Sequence, residues 1–257
     1  MERISCLMVT LDRFERFKAS FACYCRQDYP LRELVVVTDG SAEFQARLRA
    51  HVAASGREDV RLLGVPGRRP LGALRNLALA SAQGPLVCQW DDDDLCHSTR
   101  LSVQAAILRA TGAEASFLVE QLHLFADARA LSWCDWGRRS PRERCIPGTL
   151  LAYKHALPAY AHDLARGEDL CLRDELFRRG VRVADVGGCG QLYVYVFHGA
   201  NTWVRAHHAA LVAWAGLDTR RLVARLDALR EALREYQLPA PLRIVNYANE
   251  PVCIWQG

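Results

Sequence analysis

The sequence predicts an α/β protein built on a mostly parallel sheet flanked by helices. Short apolar runs alternate with helical patterns through the first half of the 257-residue chain. Residues 34–38, Leu-Val-Val-Val-Thr, are the clearest strand pattern and run straight into Asp39-Gly40-Ser41. The run at residues 86–90 stops abruptly in the carboxylates of Asp91 to Asp94. Because burying an unpaired carboxylate costs several kcal/mol, this strand must end at a surface.

The alternation of apolar runs and helical patterns predicts the strands and helices of the first half of the chain in order. The predicted strands are residues 4–10, 34–38, 60–65 and 86–90, and the predicted helices between them are residues 13–25, 42–55 and 71–83. Right-handed crossovers would place the carboxyl ends of these strands along one edge of the sheet. Asp39 and the acidic cluster should therefore face one crevice, where open α/β sheets bind ligands.

The second half has a less regular pattern. We expect strands at residues 117–125, 181–185 and 192–197, helices at 97–108 and 170–179, and a cationic loop at 133–147. Residues 218–236 form an amphipathic pattern that predicts one C-terminal helix. Residues 242–255 resemble two short strands around a turn. The chain is thus expected to be one compact domain with a helical C-terminal appendage.

Composition excludes several classes of protein. The formal charge of +4 is too weak to indicate nucleic-acid binding, and no stretch of 18 apolar residues predicts a membrane span. The first residues resemble a strand rather than a signal peptide. The 10 cysteines lack Cys-x-x-Cys spacing, so we expect reduced thiols and a cytoplasmic protein.

The acidic cluster is the strongest functional feature. Hard cations such as Mg²⁺ and Mn²⁺ prefer carboxylate oxygens, so Asp91 to Asp94 at a strand end are candidate metal ligands. The alternative is a solvated acidic turn, which is how most charge runs behave.

Four segments in order resemble the family 2 glycosyltransferases of the GT-A (Rossmann-like) fold, over residues 3–205. They are the opening strand with its polar exit at 4–13, Val-Thr-Asp-Gly-Ser at 37–41, Ala-Leu-Arg-Asn with the acidic strand end at 73–94, and Gly-Glu-Asp at 167–169. The resemblance implies a nucleotide-sugar half at about 1–110 and an acceptor half at about 111–205. Residues 206–257 would then pack on this domain as helix and tail.

The resemblance implies a metal-dependent, inverting transfer from a nucleotide-diphospho-sugar, UDP-linked rather than GDP- or dTDP-linked. Acceptors to consider are a bacterial-type surface glycan, a lipid-linked sugar and a protein side chain. The implied cofactor is Mn²⁺ or Mg²⁺, which offsets charge on the departing diphosphate.

The resemblance also implies roles in the donor site. Asp93 would bind the metal, Asp91 the ribose or the metal through water, and Asp94 the sugar or the groups around the metal. Asp92 fills a variable position and could be solvated, although it is grouped with the donor-binding residues, as is Thr10. His198 is a candidate third metal ligand or diphosphate contact; a structural histidine is the alternative.

Two further residues would contact the donor. Asp39 matches the position that contacts the nucleobase, although Thr38 replaces the family's first aspartate there, and a simple turn or helix cap is the alternative. Arg75 would contact the diphosphate or pair with a carboxylate of the cluster.

Asp169 matches the family's general base, with Glu168 beside it. An inverting transfer needs a carboxylate that removes the proton of the acceptor hydroxyl. The alternative is an acidic residue that interacts with the N-terminus of the helix it begins.

The acceptor region of the family varies, so its residues follow from chemistry alone. Exposed Trp133 and Trp136 would provide stacking surfaces for sugars, with the arginines of residues 138–144 beside them. Asn201 is a further polar contact. The alternative is that one tryptophan lies in the core and the arginines are solvated.

Two rival functions remain open at this stage. A nucleotidyltransferase also combines an α/β sheet with paired carboxylates and Mg²⁺, but the loop at residues 11–14 lacks the glycines that class uses. A catalytically silent glycan-binding protein could keep the same fold. The basic amphipathic helix leaves peripheral contact with the inner face of a membrane, or a homo-oligomer, as open alternatives.

Overall fold

The computed structural model describes residues 1–257 as two β-sheets with helices packed against them. The strands of the first sheet are β1 (Ile4–Val9), β2 (Arg32–Thr38), β3 (Val60–Gly64), β4 (Leu86–Gln89), β6 (Ala115–Leu118), β9 (Leu151–Tyr153) and β10 (Val183–Val186). The strands of the second are β5 (Leu95–Cys96), β7 (Glu120–Phe125), β8 (Ala130–Asp135), β11 (Tyr193–Phe197), β12 (Leu242–Val245) and β13 (Pro251–Trp255).

Eight α-helices connect these strands. They are α1 (Phe14–Cys25), α2 (Ala42–Ala54), α3 (Leu71–Ser81), α4 (Arg100–Thr111), α5 (Glu168–Arg178), α6 (Arg205–Ala215), α7 (Thr219–Val223) and α8 (Leu226–Glu235). None of them is long and apolar enough to cross a membrane.

The first sheet confirms the predicted mostly parallel architecture. Its order is β10-β6-β9-β4-β1-β2-β3, and only β9 runs antiparallel to its neighbours. The strands β1 and β2 are almost entirely buried because helices cover both faces, which explains their continuous apolar sequences. Since β1, β2 and β4 are parallel, their carboxyl ends share one edge, as predicted.

The second sheet was not predicted. Its order is β13-β12-β8-β7-β11-β5, and β12 pairs with β8, so the C-terminal tail is part of the sheet. The single strand predicted at 117–125 is wrong: at Val119 the chain passes from β6 in one sheet to β7 in the other. An apolar run that changes sheets has the same local pattern as one long buried strand.

Two further predictions are wrong in part. The predicted loop at 133–147 begins inside β8, since Trp133 pairs with Leu122 of β7. The predicted helix at 218–236 is broken into α7 and α8 at Arg225, where ψ is 0°. Both helices bury leucines in the same core cluster, Leu222 from α7 and Leu229 from α8.

Candidate active site

A cleft of about 450 Å³ lies across the carboxyl ends of β1 and β4. Asp91 to Asp94 line one side, and Gly167 to Leu170 at the start of α5 line the other. Ser20 of α1 fixes the start of the acidic segment, because its hydroxyl donates a 2.7 Å hydrogen bond to the Asp91 carbonyl. The structure therefore brings the two predicted catalytic segments together in one cleft.

Arg13 is the cation that faces the acidic cluster. Its guanidinium donates to Asp92 at 2.6 Å and to Asp93 at 2.8 Å. Sequence reasoning missed this residue, which was interpreted only as part of the polar exit from the first strand. The signal available was its position: a basic residue after β1 must lie beside the carboxylates that follow the parallel neighbour β4.

Asp93 also contacts His198, at 3.1 Å between Oδ2 and Nε2. Burial opposes ionisation of this carboxyl, but the hydrogen bond with His198 and the charge of Arg13 outweigh it. The pKa of Asp93 is therefore lowered below its usual range. The predicted pair of Asp93 and His198 is in contact in the structure.

Asp94 and Asp92 are both buried. Asp94 accepts a hydrogen bond from the Tyr193 hydroxyl and another from the Val196 amide, at 2.9 Å for the amide. Burial and the charge of Asp93 raise the pKa of Asp92 to about 7. The expectation that Asp92 is solvated is wrong, because Arg13 holds it under the cleft surface.

Arg75 joins the two sides of the cleft. From helix α3 its Nε donates to Glu168 at 2.7 Å, and its Nη2 donates to Asp91 at 2.8 Å. Of the two predicted roles, the structure shows the ion pair with the cluster. An arginine can bridge two carboxylates in this way because its planar guanidinium presents N–H donors in two directions.

Asp169 follows Glu168 at the start of α5. Its Oδ1 accepts a 2.8 Å hydrogen bond from the Leu170 amide, so the predicted interaction with the helix N-terminus is present. Burial raises the pKa of Asp169 to about 6, with Arg75 opposing that rise. A carboxyl with this pKa is ionised at neutral pH and is a better base than an ordinary aspartate.

Asp39 and Thr10 lie outside the lining of the cleft. Asp39, after β2, accepts a 2.8 Å hydrogen bond from the Arg69 amide and lies 3.5 Å from the Arg68 guanidinium. Thr10 is buried beyond β1, and its hydroxyl has no hydrogen-bond partner. Both remain at the sheet edge that continues from the acidic cluster, where the predicted nucleotide contacts would fall.

The predicted acceptor residues have different outcomes. Trp133 is 1% exposed and its indole donates to Glu120 at 2.7 Å, so the expectation of an exposed stacking surface there is wrong. Trp136 is mostly buried but lines the cleft. Asn201 also lines the cleft, yet its amide is bonded to the backbone of His198 and Val196, which orders the loop carrying His198.

The residues present fit a divalent cation only in part. Asp93 and His198 supply oxygen and nitrogen donors that Mn²⁺ accepts, but no group of three acidic, histidine or cysteine side chains converges. Mg²⁺-type cations are often held by one or two side chains, with water and substrate phosphates completing the coordination. The donor set is therefore compatible with a cation bound together with a diphosphate.

Comparison with known proteins gives a family match over part of the chain and identifies the fold. Residues 5–120 match the model of glycosyl transferase family 2, a segment that runs from β1 into β7 and includes the acidic cluster. These residues are therefore similar to glycosyl transferase family 2. The resemblance inferred from the sequence motifs is thereby confirmed. A comparison with curated protein sequences gives no match.

Solved glycosyltransferase structures share the fold. The UDP-GlcNAc complex of residues 1–349 of S. aureus TarS has a TM-score of 0.63 at 17% identity, covering 91% of this chain and 72% of that one. The UDP complex has a TM-score of 0.61 at 16% identity, with 85% and 68% covered. The mannosyltransferase PcManGT from Pyrobaculum calidifontis, in complex with GDP-Man and Mn²⁺, has a TM-score of 0.57 at 17% identity, with 93% and 66% covered. The GT-A fold is confirmed, and the chain is a glycosyltransferase by its family 2 domain.

Proposed function

We propose that the protein is a metal-dependent, inverting glycosyltransferase that uses a UDP-linked sugar. The observation that carries this is the position of Asp169, a carboxyl with a pKa of about 6, across one cleft from Asp91 and Asp93. An inverting transfer needs this arrangement, with a base on the acceptor side and groups that hold the diphosphate on the other.

Each residue then has a chemical role. Asp93 and His198 would hold Mn²⁺ or Mg²⁺, which supplies charge neutralisation at the leaving diphosphate. Asp91 would contact the ribose, and Asp39 the nucleobase. Thr10 lies beside them at the sheet edge. Asp169 would take the proton of the acceptor hydroxyl, while Arg75 and Glu168 keep Asp91 and Asp169 in a fixed relation.

The proposed use of a UDP-linked sugar is supported by the similar solved structures and is compatible with Asp39. Two of the TarS structures contain UDP or UDP-GlcNAc, whereas PcManGT contains GDP-Man with Mn²⁺. Asp39 presents a carboxylate that can accept a hydrogen bond from the ring N–H of uracil, a donor that thymine and guanine also carry. UDP is therefore proposed on the strength of the TarS complexes. The acceptor is proposed to be a glycan, a lipid-linked sugar or a protein side chain.

Calorimetric titration with UDP, GDP and dTDP, with and without Mn²⁺, tests the donor site. We expect one nucleotide, UDP, to bind the wild type in a Mn²⁺-dependent way, and Asp93→Ala to lose that dependence. Asp227→Ala is the matched control, since Asp227 lies on α8 outside the cleft. Absence of binding by all three nucleotides would refute the proposal.

A further inference from the structure

Part of the cleft is lined by residues to which the proposed donor contacts assign no role. Its walls there come from residues after the family 2 segment, and they include Trp136, Trp203 and Trp214. Trp214 is 51% exposed and packs edge-on against Trp136, with 5.4 Å between ring centroids. The Arg139 guanidinium covers part of the Trp214 indole, 4.0 Å from its ring centroid, and the exposed remainder is suited to contact with the apolar face of a sugar ring.

Two buried polar groups on this wall have no partner within the protein. The Gln121 side-chain oxygen and the Trp136 indole N–H both belong to residues that line the cleft. Leaving such a group unpaired costs about 1–3 kcal/mol, so a ligand in the cleft that pairs with it gains that stabilisation. A sugar hydroxyl both donates and accepts, and therefore could satisfy an unpaired carbonyl oxygen and an unpaired N–H.

The same part of the cleft carries an unpaired cation. Arg166 precedes the catalytic segment, lines the cleft, and has no carboxylate within ion-pair distance. Its guanidinium lies 5.5 Å from the ring centroid of Trp203, which also stacks on His207 at 4.6 Å. Arg173, the next arginine along the lining, is already paired with Asp174 at 2.9 Å.

Glu143 is the carboxylate that could oppose this charge, since it also lines the cleft. It accepts a 2.7 Å hydrogen bond from the Ser140 hydroxyl and makes no ion pair with Arg166. The cationic group beside Trp203 is thus free to meet an anion on a ligand. An aromatic face next to a free guanidinium recognises a sugar that carries negative charge.

We propose that this part of the cleft is an acceptor subsite for a sugar bearing a phosphate or carboxylate group. Trp203 would lie beside the sugar ring, Arg166 would bind the anion, and Gln121 and Trp136 would bind hydroxyls. The inference rests on the proposed function. In the transfer, Asp169 takes the hydroxyl proton, the acceptor oxygen bonds to the anomeric carbon, and the bond from that carbon to the diphosphate breaks. The electron pair leaves with the nucleoside diphosphate.

The test compares glucose 6-phosphate, glucuronate and glucose as probes, titrated into the full chain loaded with UDP and Mg²⁺, a diamagnetic cation, and followed by saturation-transfer NMR. We expect the two anionic sugars to bind about tenfold more tightly than glucose, as one charge-assisted hydrogen bond provides. The anionic sugar that binds more tightly shows whether the subsite prefers a phosphate or a carboxylate. Arg166→Gln should remove the preference, and Trp203→Ala should weaken all three.

Arg230→Gln is the matched control, because Arg230 is an exposed arginine on α8 outside the cleft. Equal affinities for the three sugars, no binding of any of them, or a preference that survives in Arg166→Gln would overturn the subsite. The UDP titration of the same samples separates the two proposals. If UDP binds and the preference is absent, the subsite alone fails; if UDP does not bind, both fail.

Discussion

At the residue scale, Asp169 is the proposed general base, and its environment sets the pH at which it would act. Burial raises its pKa to about 6. The base form predominates above that pH and the inactive acid form below it. We expect kcat/KM, measured with saturating donor from pH 5 to pH 8, to be flat above about pH 7 and to fall below pH 6, approaching tenfold per pH unit.

Removal of this carboxyl should abolish sugar transfer and leave the binding of the donor unchanged. General bases contribute roughly 10²–10⁴ in rate, so Asp169→Asn should lose about that factor in kcat while its UDP affinity changes little. Asp163→Asn is the control, because Asp163 is nearly fully exposed at 96%. Retention of more than a tenth of the wild-type rate by Asp169→Asn would exclude Asp169 as the base.

Substitution of Arg75 tests whether one buried cation stabilises the carboxylates on both sides of the cleft. It is 8% exposed and neutralises both Asp91 and Glu168. Removing it leaves two carboxylates without a partner in the cleft wall, and breaking a buried pair in this way costs about 3–5 kcal/mol.

We therefore expect Arg75→Met to lower the midpoint of urea unfolding strongly, and Arg75→Lys to recover part of it. Lysine keeps the charge but cannot reach both carboxylates with a planar fork. Comparable stability of Arg75→Met and wild type would show that Asp91 and Glu168 do not need this charge.

At the element scale, helix α4 fixes the segment that faces Asp91. Arg100 is fully buried and donates to the Gly148 carbonyl at 3.2 Å, and Gln104 donates to the Thr149 carbonyl at 2.8 Å. Arg100 also donates to the Gln89 carbonyl at 3.1 Å, next to the acidic strand end. One helix thus holds the end of β4 and the opposing loop at a fixed separation.

Gly148 is a point of close approach between this loop and the residues around it. A Cβ added there would lie 2.5 Å from the Tyr193 hydroxyl and 3.1 Å from Asp91 Oδ2. We expect Gly148→Ala to weaken UDP binding roughly tenfold, because overpacking by a methyl group costs about 1–3 kcal/mol. Gly187→Ala is the control, since its Cβ would meet only Val119, at 3.3 Å. Unchanged UDP affinity in Gly148→Ala would show that the loop at residues 147–149 can shift to accommodate the methyl group without affecting the donor site.

The elements that the sequence predicted are those with a simple local period. The strands β1, β2 and β4 are covered on both faces, so their apolar runs are unbroken, and the acidic cluster after β4 could be located from sequence. The second sheet could not be predicted, because β7 is joined to β6 through Val119 without a turn. Nor could sequence distinguish buried Trp133 from Trp136 in the cleft. Trp133 lies within β8 and Trp136 follows its end, and the position of β8 is set by pairing with β7.

The same limit applies to the candidate site. Asp93, Asp169 and His198 follow from motifs, whereas Arg13 and Tyr193 are recognised only when the sheets are assembled around the cluster. Their roles depend on contacts between residues far apart in the chain. Such contacts cannot be recognised from local sequence patterns.

At the scale of the whole molecule, helix α6 is packed on the second sheet through a buried histidine pair. His123 Nε2 and His208 Nδ1 are 3.0 Å apart, both residues are fully buried, and Tyr195 and Phe197 lie against them. Burial lowers the pKa of His123 to about 3 and that of His208 to about 4. The pair is therefore neutral in the folded protein at any pH above about 5.

This pair makes stability depend on pH with a definite sign. Both histidines have a folded pKa below the ordinary value of 6.5, so the unfolded chain binds their protons more readily. Stability from the pair is complete above pH 6.5 and is lost as the pH falls from 6.5 toward 4. Buried carboxyls act in the opposite direction, because the raised pKa of Asp92 and Asp169 favours the folded state on acidification.

A variant isolates the histidine contribution. His208→Leu removes one titrating member, so its Tm should fall less between pH 7.5 and pH 5 than that of the wild type, even if it is less stable at pH 7.5. His155→Gln is the control, because His155 has a side chain that is 70% exposed and should leave the pH dependence unchanged. Calorimetric scans at the two pH values measure the difference. Equal losses of Tm in His208→Leu and wild type would mean that the packing of α6 on the second sheet is not what limits acid stability.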